Sequence, residues 1–264
     1  MSHYQNFSLI RMGVVNITPN SFSDGGELKN TDDILAKIKS FGEIEVLDFG
    51  AESTAPMNSS IGAEEEWQRL QVILPLIKNL KSKISIDTYR AETISKILKF
   101  WKDNQLSQTL IWNDVSGKFD DHVKDFISHK NVEYVFCHNL APERGLSGQH
   151  MQFVSQSSDE IFLQELSEFF SVAQRPNIIF DPCLGFSKSY DQNWYILENF
   201  EKLQKLIHHS RWMLGLSRKS FLRKKYGVSD NKSLDELHLE ELNRLRPQLF
   251  NEIWLRTHRP ELLK

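Results

Sequence analysis

The chain alternates between short β-rich apolar runs and amphipathic stretches. The runs fall at residues 9–15, 44–49, 83–86, 109–112, 132–137, 177–180, 211–216 and 252–255, and they predict eight strands. Most are continuously apolar rather than alternating, as parallel strands covered on both faces are. Helical spacing of apolar residues fills most of the gaps. It predicts helices over 31–40, opened by Thr31-Asp32-Asp33, and over 64–80, with a kink at Pro75. Further helices are predicted over 91–101, 159–172, 193–207 and 233–250, the last with Leu237, Leu242, Leu245 and Leu249 on one face.

Strands alternating with helices mean βαβ units and a parallel sheet. Eight such units favour a closed (β/α)8 barrel of the TIM type, formed by residues 1–264 as a single domain, over an open doubly wound sheet. After the eighth run only a few residues remain, so the eighth helix is expected to be missing or truncated.

Composition narrows the class. The hydrophobic fraction of 40% can build a core, and a net charge of -3 gives no footprint for nucleic acid. No apolar run reaches a membrane span and no signal peptide opens the chain, which predicts a cytoplasmic protein without a membrane partner. Cys137 and Cys183 form no spaced ligand set and no disulfide framework, and read as reduced, buried thiols. His208-His209 reads as a solvated helix end, and Glu64-Glu65-Glu66 as charge at a helix N-terminus. Arg218 and Arg223-Lys224-Lys225 read as solvated surface, and the tryptophans as packing residues.

In such barrels the working residues stand at the C-terminal ends of the strands. Here those ends read Asn16, Asp48, Asp87-Thr88, Asn113-Asp114, His138-Asn139, Asp181, Ser217-Arg218-Lys219, and Arg256 with His258. Any one of them could be a turn former; together they predict a polar rim. Asp87, Asn113, Asp181 and Lys219 suit a flat heterocycle, because a carboxylate accepts two parallel N–H bonds from an amino-substituted ring. Asn16, Ser53, Thr54, Arg256 and His258 suit an oxyanion such as phosphate, with Asn16 sharing a Mg²⁺ ion with it.

Met12-Gly13-Val14-Val15-Asn16-Ile17-Thr18-Pro19-Asn20-Ser21-Phe22-Ser23-Asp24-Gly25-Gly26 resembles the first signature of the dihydropteroate synthases, the folate-pathway transferases. The resemblance recurs in order at Leu47–Thr54, Ser85-Ile86-Asp87-Thr88, Trp112-Asn113-Asp114, Asp181–Lys188, Leu216-Ser217-Arg218-Lys219-Ser220 and Arg256-Thr257-His258. It implies condensation of hydroxymethyl-dihydropterin diphosphate with p-aminobenzoate, giving dihydropteroate and diphosphate. It assigns the pterin ring to Asp87, Asn113, Asp181 and Lys219. The diphosphate, with Mg²⁺ near Asn16, goes to Arg256, His258 and Thr54, and p-aminobenzoate to Phe22, Pro56, Phe186, Lys219 and Ser220. Lys219, Asp87 and Arg256 carry the catalytic roles in this reading.

The chain departs from the family pattern at several points. It has Asn20 where Asp is usual, Ala55 where Arg is usual, and Cys183 where Gly is usual. The resemblance implies a homodimer built on the last helices, and the Leu- and Glu-rich seventh helix and short C-terminus put that interface in question. A pterin-binding homologue without synthase activity is the alternative reading that these departures favour.

Overall fold

The computed structural model describes residues 7–17, 31–52 and 60–263. Eight parallel strands close on themselves in chain order, β1 pairing with both β2 and β8. They are β1 (Phe7–Asn16), β2 (Val46–Gly50), β3 (Lys83–Asp87), β4 (Leu110–Asp114), β5 (Val132–Cys137), β6 (Ile178–Asp181), β7 (Arg211–Leu214) and β8 (Asn251–Thr257). The helices are α1 (Thr31–Ser40), α2 (Ala63–Gln71), α3 (Leu74–Ile77), α4 (Ala91–Asp103), α5 (Asp121–Ser128), α6 (Asp159–Ser171), α7 (Tyr190–Glu198), α8 (Phe200–Ile207), α9 (Ser220–Tyr226) and α10 (Asn231–Leu245). The predicted barrel is therefore present, and past β8 the described residues form a 3-10 turn at Pro260–Leu262.

Each strand has two faces with different neighbours. Leu47, Phe49, Ile84, Ile86, Trp112, Tyr134, Phe136, Phe180, Trp212 and Leu255 belong to the large core shared with the helices. Met12, Val46, Ile111, Val135, Ile179, Met213 and Trp254 form a second, smaller core. That second set alternates with the first along the strands and fills the barrel interior. Two apolar layers explain why the strands read as continuous apolar runs. Gly13 stands on the helix side of β1, where a Cβ would lie 2.8 Å from Phe41 and 2.7 Å from Ile44. Glycine there lets the α1 end close onto the barrel.

The helix boundaries differ from the sequence expectation for local reasons. The helix predicted over 64–80 breaks between α2 and α3, and Pro75 lies in the first turn of α3, where its missing N–H costs nothing. The helix predicted over 193–207 is two helices meeting at Asn199, and it starts earlier because Ser189 and Gln192 form a reciprocal capping box. The predicted 233–250 helix is α10 followed by a 3-10 turn at Arg246–Gln248. The short α5 and α9 escaped the periodicity test. Asp120 caps α5 by accepting from Val123 N, a contact worth about 1 kcal/mol.

Candidate active site

Register brings the site together. Asn16 pairs with Gly50, Gly50 with Asp87, and Asp87 with Asn113, so the four stand in one row across β1 to β4. Gly50 leaves that row open. A Cβ there would lie 3.4 Å from Asp87 Cβ and 3.8 Å from Asn16 Oδ1. Farther round, Asp181 ends β6 beside Cys137 of β5.

Asp48, fully buried, is the hub of the first half. It accepts from Ser85 Oγ at 2.6 Å, from Asn113 Nδ2 at 3.3 Å and from Arg256 Nε at 2.7 Å. Arg256 reaches on to Asp87, donating from Nη2 to Oδ2 at 2.6 Å. Burial pushes Asp87 up to about 7; Arg256 pulls it down and Asp48 pushes it further up. Burial works against the Arg256 charge, yet Asp48 and Asp87 raise its pKa overall, so it stays cationic. Asn113 spends its amide N–H on Asp48, and its buried Oδ1 has no partner among the described residues. A buried orphan acceptor is costly unless something donates to it.

The second half is built differently. Asp181 Oδ1 accepts from Cys183 N at 2.7 Å. Burial raises the Asp181 pKa, against the pull of that hydrogen bond and of Lys219 and Lys188. Lys219 lies just before α9, with its ammonium 5.3 Å from the Phe186 ring centroid. Phe186 also stacks on His150 at 3.8 Å. Burial, then Lys219 and Lys188, lower the His150 pKa to about 4, so the ring is neutral. Ser220 is the exposed first residue of α9.

A pattern of three carboxylates, one unpaired amide oxygen and two cations at the strand ends can hold a flat ring rich in donors. The sequence profile of the pterin binding enzymes matches residues 12–242. The chain belongs to this family. The dihydropteroate synthase of Clostridium beijerinckii is 31% identical over 223 residues, covering 80% of this chain and 75% of that protein. That of Bacillus subtilis is likewise 31% identical, covering 83% and 73%. The chain spans only 40% of the mitochondrial folate synthesis bifunctional protein of Arabidopsis thaliana, at 30% identity. Among solved structures, the dihydropteroate synthase of Anaplasma phagocytophilum with bound 6-hydroxymethylpterin-monophosphate is 28% identical. It covers 97% of this chain and 95% of its own, with a TM-score of 0.71.

The structure brings part of the predicted rim together. Asp87, Asn113, Asp181, Lys219 and Arg256 come to one end of the barrel, and Phe186 and Ser220 flank Lys219. Phe22, Thr54 and Pro56, with Asn20, Ser53 and Ala55, lie outside the described residues. Asp48 was read as a strand end. It stands two residues inside β2 on the interior face, where it organises Arg256. His258 is held by Ser217, whose Oγ lies 3.0 Å from His258 Nδ1. Burial, and then Arg218 and Arg256, keep the His258 pKa well below its usual value, so its ring is neutral.

Asn16 suits the Mg²⁺ role. Its side chain has no hydrogen-bond partner among the described residues, and its Oδ1 faces the gap left by Gly50. One amide oxygen, with substrate oxygens and water, is an ordinary magnesium environment.

Two surface readings are corrected. His209 is buried, stacked 3.9 Å from Phe180 and bonded to Ile178 O, while His208 alone is exposed. Arg218 pairs with Asp235 at 3.0 Å. Glu64, Glu65 and Glu66 stand in the first turn of α2, as read from the sequence, and Glu66 is buried there, facing Arg90 at 3.3 Å and bonded by Thr93. Among the described residues no helix is long and apolar enough to cross a membrane.

Proposed function

We propose that this chain is a dihydropteroate synthase working in the cytoplasm. The observation that carries the reading is the buried, unpartnered Asn113 Oδ1 between the Asp48–Arg256–Asp87 network and Asp181, in a chain of this family. The pterin ring would donate to Asp87, Asn113 and Asp181, and Lys219 would lie against its remaining edge. Asn16 would hold Mg²⁺, which when bound neutralises charge on the departing diphosphate.

The bond from the pterin methylene carbon to the diphosphate oxygen breaks, and the electron pair leaves with diphosphate. The amine nitrogen of p-aminobenzoate forms the new bond to that carbon, and the amine proton passes to solvent. Asp87 and Asp181 face the positive charge that develops on the pterin, which is preorganised electrostatic stabilisation. Arg256 and a neutral His258 N–H would face the leaving group. Lys219 and Phe186 would frame the aminobenzoate ring, with Ser220 at its rim.

Diphosphate should be released from hydroxymethyl-dihydropterin diphosphate only when p-aminobenzoate and Mg²⁺ are both present. Pterin binding without turnover would sink the synthase reading. It would select a pterin-binding homologue instead, the reading that Ala55 favours through its missing cation. Light scattering would test the homodimer that the family resemblance implies.

A further inference from the structure

The chain has only two cysteines, and the fold puts them side by side. Cys137 ends β5, and Cys183 follows β6 by two residues. Both are free and buried. Cys137 Sγ donates to Asp181 Oδ2 at 3.7 Å, and the two sulfurs and a carboxylate oxygen all lie within 4.8 Å of one another. Cys183 stands at φ 54°, a left-handed conformation that costs glycine less than a residue with a side chain. It is also one of the positions where the chain departs from the glycine of the resembling sequences. A cysteine has thus been placed, against backbone preference, beside the other cysteine and a carboxylate.

We propose that Cys137, Cys183 and Asp181 form a binding site for a thiophilic divalent metal ion, Zn²⁺ above all. Zinc bonds to sulfur at about 2.3 Å and to carboxylate oxygen at about 2.0–2.2 Å in tetrahedral array, which sets neighbouring ligand atoms roughly 3.5–4 Å apart. Here the three atoms lie within 4.8 Å of one another, and Cys137 Sγ to Asp181 Oδ2 is 3.7 Å, so movements of about 1 Å would bring them to that spacing. Three protein ligands leave a fourth position for water or another ligand. Two thiolates, one carboxylate and a dication sum to one negative charge. Lys188, which donates to Cys183 O at 3.3 Å, and Lys219, which acts on Asp181, put cationic side chains beside it. If Asp181 also holds the pterin, as proposed above, metal and pterin exclude each other; that consequence alone rests on the functional reading.

The test is titration of the reduced, metal-free full-length chain with Co²⁺. A tetrahedral visible band and a sulfur-to-cobalt band in the near ultraviolet should saturate at one ion per chain, and Zn²⁺ should bleach both. With no other cysteine present, the sulfur band reports on this site alone. Cys183→Gly and Cys137→Ala should each lose or sharply weaken it. Cys183→Gly keeps the fold, since glycine adopts φ 54° freely, and circular dichroism checks this. No sulfur band in the native chain overturns the proposal, as does an undiminished band in Cys183→Gly. So does thiol counting that finds the two cysteines joined as a disulfide in protein purified with reductant. If the metal binds and 6-hydroxymethylpterin fails to displace it, the metal site stands and the pterin assignment of Asp181 falls.

Discussion

The two ends of this barrel both bury charge, and they resolve it in opposite ways. At the N-terminal end, Glu133 accepts from Lys83 at 3.1 Å and from Arg211 at 2.8 Å, and Arg211 also pairs with Glu252 at 2.7 Å. Trp254 donates to Glu252, and its ring lies 5.0 Å from Lys83 Nζ and 5.3 Å from the Arg211 guanidinium carbon. Two acids meet two bases. Burial pushes Glu252 up, but the hydrogen bonds from Trp254 and Arg211 outweigh it and its pKa falls. At the C-terminal end Asp87 and Asp181 are buried more deeply than Glu252 and their pKa values rise, because Arg256 and Lys219 do not outweigh that burial. A closed, balanced network is what stability asks for; an open, under-compensated one is ready for a ligand.

The sharpest break between the two ends should come from removing Arg211. Arg211→Met removes the hydrogen-bonded cation of Glu252 and leaves it the more distant Lys83, at a cost of about 3 kcal/mol, the lower end for a broken buried pair because Glu252 is only partly buried. That corresponds to a Tm fall of roughly 6–12 °C for a chain of this size. Pterin affinity should be unchanged within about twofold, since a factor of two is less than 0.5 kcal/mol. A large loss of affinity, measured by calorimetry, would mean that the floor also shapes the mouth.

The mirror experiment is Asp181→Asn. The amide oxygen can still accept from Cys183 N, and a buried, under-compensated charge is removed, so the Tm should hold or rise. The pterin loses a charge-assisted acceptor worth about 1.5–3 kcal/mol, and its Kd should rise by roughly 10- to 100-fold. A fall in Tm with unchanged Kd would reverse the roles given to the two ends.

The strand ends were legible because barrel geometry converts position along the chain into position at the mouth. Asn113 and Asp181 follow runs that are apolar on both faces, so their polarity stands out, while Asp87 ends a strand whose interior face also carries Lys83 and Ser85 and was marked by its place at the strand end. Asp48 was harder to place. A run with two apolar faces does not say which residue points inward, and Asp48 sits inside its strand. The Arg256 contacts were illegible for another reason. Asp48 and Asp87 lie 208 and 169 residues away in sequence and meet Arg256 only when β8 closes against β1. His209 looked like a polar helix end because nothing local announces that Phe180 receives its ring.

Asp87 makes the contrast pH-dependent. Its folded pKa, about 7, lies above its ordinary value of 3.8, so between those values the folded chain holds more of its proton. Its contribution to stability therefore falls as pH rises through that window. The carboxylate needed to accept from the ring appears over the same window, so affinity moves the other way. Binding of 6-hydroxymethylpterin, which carries no phosphate, should tighten by up to about tenfold per unit between pH 5 and 7, the limiting slope for one proton. Asp87→Asn should flatten the profile. A flat profile in the native chain would mean that Arg256 keeps Asp87 ionised throughout.

The smallest effect is expected at the edge of the mouth, where Ser217 faces His258. Because His258 is neutral, one ring nitrogen carries a proton and the other does not, and the bond to Ser217 Oγ fixes which is which. If Ser217 donates to Nδ1, the proton sits on Nε2 and is free to face a diphosphate oxygen. Ser217→Ala removes that bias and costs about 1 kcal/mol in tautomer and orientation. The KM for the pterin diphosphate should rise by roughly fivefold, with the affinity for 6-hydroxymethylpterin unchanged. Equal loss for both ligands would place Ser217 in the shape of the pocket and remove His258 from the leaving-group contacts.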